Sequence, residues 1–141
     1  MPDFDDLRLG QSASIGKTIT EADILLFAAV STDTNPVHID ADAAAASVFK
    51  QRIAHGMLSA SLISAVLGTR LPGPGTIYLS QTLAFRRPVT IGATVIATVE
   101  IVALDPAKRR VTLKTTCTVA GKIVIDGEAV VIAPGPPTLE A

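Results

Sequence analysis

One stretch constrains this chain more than any other. The apolar run Ile53–Leu67 is followed by the stop Leu71-Pro72-Gly73-Pro74-Gly75, and strand-forming sequence dominates after it. The run carries His55, Ser59, Ser61 and Ser64 and falls short of the ~20 residues a membrane span needs, so it reads as a buried helix. That helix is expected from near Gly56 to Arg70. Gly56, Ala60, Ser64 and Gly68 line up along it as a stripe of small residues, expected to face a close-packed sheet. Beyond it, Thr76–Arg86, Ala93–Leu104, Arg110–Val119 and Lys122–Ile132 are rich in Val, Ile and Thr. Asp105-Pro106-Ala107-Lys108 and Ala120-Gly121 look like hairpin turns, so neighbouring strands should be antiparallel. With Ser12–Ile19 added, the expectation is an α+β fold: about five antiparallel strands around one central helix. The open edges of such a sheet invite pairing with a second copy.

The front half is helical. Thr20 suits an N-cap, and Glu21 and Asp23 place negative charge in the first turn of a helix expected over Glu21–Val30. Asn35-Pro36 then breaks it, and Asp40 can cap a short helix through Ala43–Ala46. A length of 141 residues with 48% hydrophobic content suits a single domain over 1–141, with its core at 9–132 and a Pro/Gly-rich tail at 133–141. A net charge of −1 lacks the basic field that non-specific nucleic-acid binding requires. Cys117 stands alone, which excludes an internal disulfide and, with only two histidines, makes a zinc site improbable. The acidic start MPDFDDLRLG carries no apolar run, so no export signal and no membrane association are expected, and the cytoplasm is the default location.

Chemistry concentrates in Phe27–His38. A helix ends, a proline-fixed turn follows, and a carboxylate and an imidazole sit five residues apart across it. On one helix that spacing separates the two side chains. Across a tight turn they can converge on a single water, as a proton-transfer pair working near neutral pH. Asp and Asn before proline also form Asx turns, and a lone His is often a hydrogen-bonded core residue. The spacing alone leaves both readings open.

Asp33-x-Asn35-Pro36-x-His38, preceded by Phe27 and Ser31 and followed by Ala44, resembles the hydratase-2 signature of the MaoC-like family, which includes the (R)-specific enoyl-CoA hydratases. His55-Gly56-Met57-Leu58, Gly75–Leu79, Phe85-x-x-Pro88-Val89 and Gly127-Glu128-Ala129 extend the likeness over roughly Leu9 to Ile132. Thr32 departs from it, since many members carry glycine there. The resemblance implies a hot-dog fold and a homodimer with an acyl-CoA thioester near its interface. It also implies that Asp33 and His38 hold the catalytic water, that Gly56 offers its N–H to the thioester carbonyl, and that Ser64 orients Asp33. A backbone N–H at a helix start suits the oxygen of an enolate-like transition state. Ser64, about 12 Å further along the axis, is too distant to serve that oxygen.

Asn35, His55, Leu67 and Arg86 are assigned to substrate binding. His55 reads equally as a helix-cap residue, Leu67 as core, and Arg86 as a solvated strand end. Lys50, Arg52 and Arg87 are further candidates for the coenzyme A phosphates, and Cys117 reads as packing. The implied reaction is reversible syn hydration of a trans-2-enoyl-CoA to an (R)-3-hydroxyacyl-CoA, with no metal, flavin or nicotinamide. The alternatives are a dehydratase acting on 3-hydroxyacyl carrier protein and a non-catalytic acyl-CoA-binding protein.

Overall fold

A computed structural model describes residues 3–135; the expected tail beyond Gly135 lies outside them. After a 3-10 turn at Phe4–Asp6, strand β1 (Ser12–Thr18) leads into helices α1 (Glu21–Ser31), α2 (Pro36–Ile39), α3 (Ala41–Ala45) and α4 (Gly56–Thr69). Strands β2 (Ile77–Gln81), β3 (Ala84–Phe85), β4 (Thr94–Asp105), β5 (Arg110–Val119) and β6 (Lys122–Ile132) complete the chain. The sheet runs β1-β4-β5-β6-β2, with β3 also on β6 and every pairing antiparallel.

The expected α+β arrangement is present, with two refinements. Thr76–Arg86 does not form one strand, because the chain steps off β6 between β2 and β3. Gly127 of β6 explains the step: a Cβ there would lie 1.8 Å from the Thr82 carbonyl, so the backbone bends across a residue with no side chain. Pro36 ends nothing by itself. It occupies the first turn of α2, where its missing N–H costs no hydrogen bond. Ala120 and Gly121, both at positive φ, close the β5–β6 hairpin.

Helix α4 packs on β1, β4 and β5. The residues it buries are Leu58, Ser59, Ala60, Leu62, Ile63, Val66 and Leu67. The small-residue stripe therefore does not face the sheet: Gly56, Ser64 and Gly68 are exposed, and only Ala60 is buried. The branched side chains of Ile63 and Val66 give more apolar burial against Val99, Leu113 and Cys117 than a glycine-lined contact would. Strands β4 and β5 alternate buried and exposed positions over most of their length, as expected of a sheet with one face on the core. Among the described residues no helix is long and apolar enough to cross a membrane.

Candidate active site

The site begins with how α1 stops. Thr20 caps its start in a reciprocal box with Asp23, and Lys17 holds the Asp23 carboxylate at 2.9 Å, keeping its pKa below the usual value. At the other end Thr32 adopts φ +64°, a left-handed conformation that glycine takes without strain. The Ser31 hydroxyl donates to Phe27 O at 2.6 Å and accepts the Asp33 N–H at 3.1 Å, turning the chain away from the helix.

The two oxygens of Asp33 then divide their work. Oδ1 accepts the Asn35 N–H at 3.2 Å in an Asx turn, while Oδ2 faces His38 Nε2 at 4.0 Å. That gap is too long for a direct hydrogen bond and short enough for one water beside it to bond to both atoms. Asp33 is half-exposed and His38 is buried. His38 Nδ1 sits 2.8 Å from the Ile53 carbonyl, which only accepts, so Nδ1 carries a proton and Nε2 is the nitrogen that faces Asp33.

One short segment, Arg52–His55, holds this loop. Arg52 Nε donates to His38 O at 2.8 Å and its Nη1 pairs with Glu21 at 2.6 Å. Ile53 donates its N–H to Val37 O and accepts from His38. His55 Nε2 donates to Asp33 O at 2.9 Å, and its ring stacks on His38 with centroids 3.9 Å apart. Ala54 N–H to Val89 O at 2.7 Å ties the segment to the body of the protein. The next residue, Gly56, starts α4. A Cβ on Gly56 would lie 2.6 Å from the Phe85 ring, so glycine lets that ring rest directly on the start of α4.

Asp33, His55, Gly56 and Ser59 share a cleft of about 510 Å³ with Phe49, Met57, Phe85, Arg86, Arg87 and Val89. Its walls are chiefly apolar, as a site for an acyl chain should be. Ligand atoms of Asp33, His38 and His55 lie within 4.8 Å of one another. Stacked imidazoles do not aim their in-plane lone pairs at a common point, however, and one nitrogen of each already faces a carbonyl.

Several expected roles change in place. Asn35 does not line this cleft: its side-chain oxygen accepts the Val37 N–H and caps α2. Leu67 is 1% exposed and belongs to the core, lining neither cleft. Ser64 has no hydrogen bond to Asp33; it lines a second cleft of about 530 Å³ with Phe27, Tyr78 and Gln81. Arg52 points inward, away from any phosphate role, while Arg86 stays at the cleft and pairs with Asp126 at 3.2 Å. Cys117 packs as expected, and burial pushes its thiol pKa up to about 11. The parts sequence reasoning missed, Arg52 as a clamp and Phe85 against Gly56, are contacts between segments that no local pattern encodes.

A MaoC like domain profile matches residues 9–128. The chain is 63% identical over 131 residues to an (R)-specific enoyl-CoA hydratase of Rhodospirillum rubrum, covering 93% of this chain and 91% of that protein. It is 50% identical to a 3-hydroxybutyryl-CoA dehydratase of Methylorubrum extorquens, covering 93% and 83%. The unliganded R-hydratase of Pseudomonas aeruginosa superposes with a TM-score of 0.90 at 52% identity, covering 95% of this chain and 86% of that one.

Proposed function

Since this chain belongs to the MaoC-like domain family, with the hot-dog fold of its structural neighbours, we propose that it is an (R)-specific enoyl-CoA hydratase. It adds water reversibly to a trans-2-enoyl-CoA and yields the (R)-3-hydroxyacyl-CoA. The observation that carries the reading is the 4.0 Å gap between Asp33 Oδ2 and His38 Nε2, with Asp33 on the same cleft as the α4 N-terminus at Gly56. A water beside that gap loses a proton to one of the pair as its oxygen attacks the β-carbon. That proton passes through the pair to the α-carbon on the same side of the double bond, which makes the addition syn and returns both groups to their starting state. Charge that collects on the thioester oxygen meets the Gly56 N–H, already aimed and at the positive end of a helix. Arg86 and Arg87 at the cleft suit the coenzyme A phosphates.

The working unit in this reading is a homodimer joined through the β2 edge. The two sheet edges differ: β1 presents Ser12, Ser14, Lys17 and Thr18, whereas β2 presents Ile77, Tyr78 and Leu79, each at least 36% exposed. An apolar edge strand unpaired within the chain favours a second copy over water. Light scattering on the purified protein is expected to give twice the mass of the 14.6 kDa chain.

The deciding experiment mixes the purified protein with crotonyl-CoA, follows the enoyl-thioester absorbance, and determines the product's configuration. Loss of the band with an (R)-3-hydroxy product is the expected result. An unchanged band with crotonyl, longer-chain and carrier-protein thioesters alike overturns the assignment. Faster turnover of the matched carrier-protein thioester moves the reading to the dehydratase alternative.

A further inference from the structure

We propose that His55 is a positioning residue for this hydration, orienting both members of the Asp33–His38 pair; the proposal rests on the function proposed above. A histidine at a helix N-cap is ordinarily explained by the cap. Here that explanation fails, because the His55 side chain makes no capping hydrogen bond to α4. Ser, Asp or Asn would stabilise the helix start better, so helix stability does not account for an imidazole at this position.

The ring instead turns toward the reacting pair. Its Nε2–H donates to the main-chain carbonyl of Asp33 at 2.9 Å, fixing the loop from which the carboxylate projects. Its face lies against His38 at 3.9 Å and 24°, and it meets Phe27 at 5.0 Å and 54°. His38 is thus held in its plane by His55 and in its tautomer by Ile53 O. When His38 holds a proton during turnover, the neutral imidazole stacked on it presents a π-face to that charge. The ring is 2% exposed, so solvent does not loosen either contact. Its Nδ1 is buried without a partner. Ser59 Oγ, one helical turn on, is buried without a partner too.

The test compares His55→Phe, which keeps an aromatic ring but has no N–H, with His55→Gln, which restores an N–H without the ring. Steady-state hydration of crotonyl-CoA is read beside circular dichroism and thermal melting. The Phe variant is expected to fold and to lose about 10²-fold in kcat, the scale of a misplaced catalytic group, with KM within about threefold of wild type. The Gln variant is expected to recover about tenfold of that loss. Retention of wild-type kcat in both variants overturns the proposal. So does a rise in KM alone, which would make His55 a substrate contact, and so does failure of both variants to fold, which would make it structural. Wild-type protein inactive on every enoyl thioester defeats the functional reading itself, and the role of His55 with it.

Discussion

Two regions of this molecule are held together by different forces. The helical segment from Glu21 to Ala45 buries little: α1 hides only Ile24 and Ala28, and leaves Leu25, Leu26 and Val30 exposed. Its shape depends on discrete polar contacts, namely the Thr20–Asp23 box, the Ser31 and Asn35 side chains, and the three grips from Arg52, Ile53 and His55. The layer of α4 with β4 and β5 is held mainly by burial, with Ile63, Val66, Val99, Ile101, Val111 and Leu113 at or near zero exposure. Each such side chain contributes about 1.5–3 kcal/mol by leaving water. The reacting pair stands on the first region. Hydrogen bonds fix direction where apolar packing fixes only proximity, and proton transfer needs direction.

That contrast can be broken or sharpened by substitution. Asp33→Asn keeps the Asx-turn acceptor and removes the carboxylate that shares the water with His38, so hydration should fall by about 10²–10⁴-fold with melting unchanged. A large drop in melting temperature would show that the segment depends on this carboxylate for its fold. Leu113→Ala should behave in the opposite way. It should cost about 2–5 kcal/mol in a urea titration, while the folded fraction keeps wild-type turnover. A kcat that fell with stability would mean the two regions are not separable.

Thr32→Gly relieves a β-branched residue at φ +64° and should raise stability by about 0.5–1 kcal/mol, measured by the same titration. If it also lowered kcat, stiffness at that turn would prove part of how Asp33 is held. The smallest effect is expected at Asp23. Lys17 first, then the Thr20 N–H, hold its folded pKa below the ordinary 3.8, so its contribution is full above that value and lost as pH falls below it through the folded pKa. Asp23→Asn should therefore lower stability slightly at neutral pH, leave it unchanged in acid below the folded pKa, and so flatten the profile between the two.

Much of the frame was legible in the residues. The Val-, Ile- and Thr-rich composition of Arg110–Val119 and Lys122–Ile132, with the turn between them, marks β5 and β6 at their observed bounds, and the Thr20 cap marks the start of α1. The break inside Thr76–Arg86 was not legible, because it depends on Gly127 lying opposite Thr82 across the sheet. The site divides in the same way. Asp33 and His38 are visible as a pair straddling a proline turn, and Gly56 as a glycine opening a helix. Ser64, Asn35 and Leu67 took other places. Whether a helix residue faces a cleft, a cap or the core depends on which side of α2 or α4 meets the rest of the chain.

The sequence alone therefore determined which groups can react and which segments are helix or strand. These follow from side-chain chemistry and from periodicities that act over a few residues. Only the tertiary structure decided that Arg52, Ile53 and His55 grip the reacting loop, that Oδ1 of Asp33 is spent on a turn while Oδ2 faces His38, and that the small-residue stripe of α4 faces outward. Those are contacts between residues brought together by burial, and the free energy that selects them belongs to the packed whole and to no local stretch of chain.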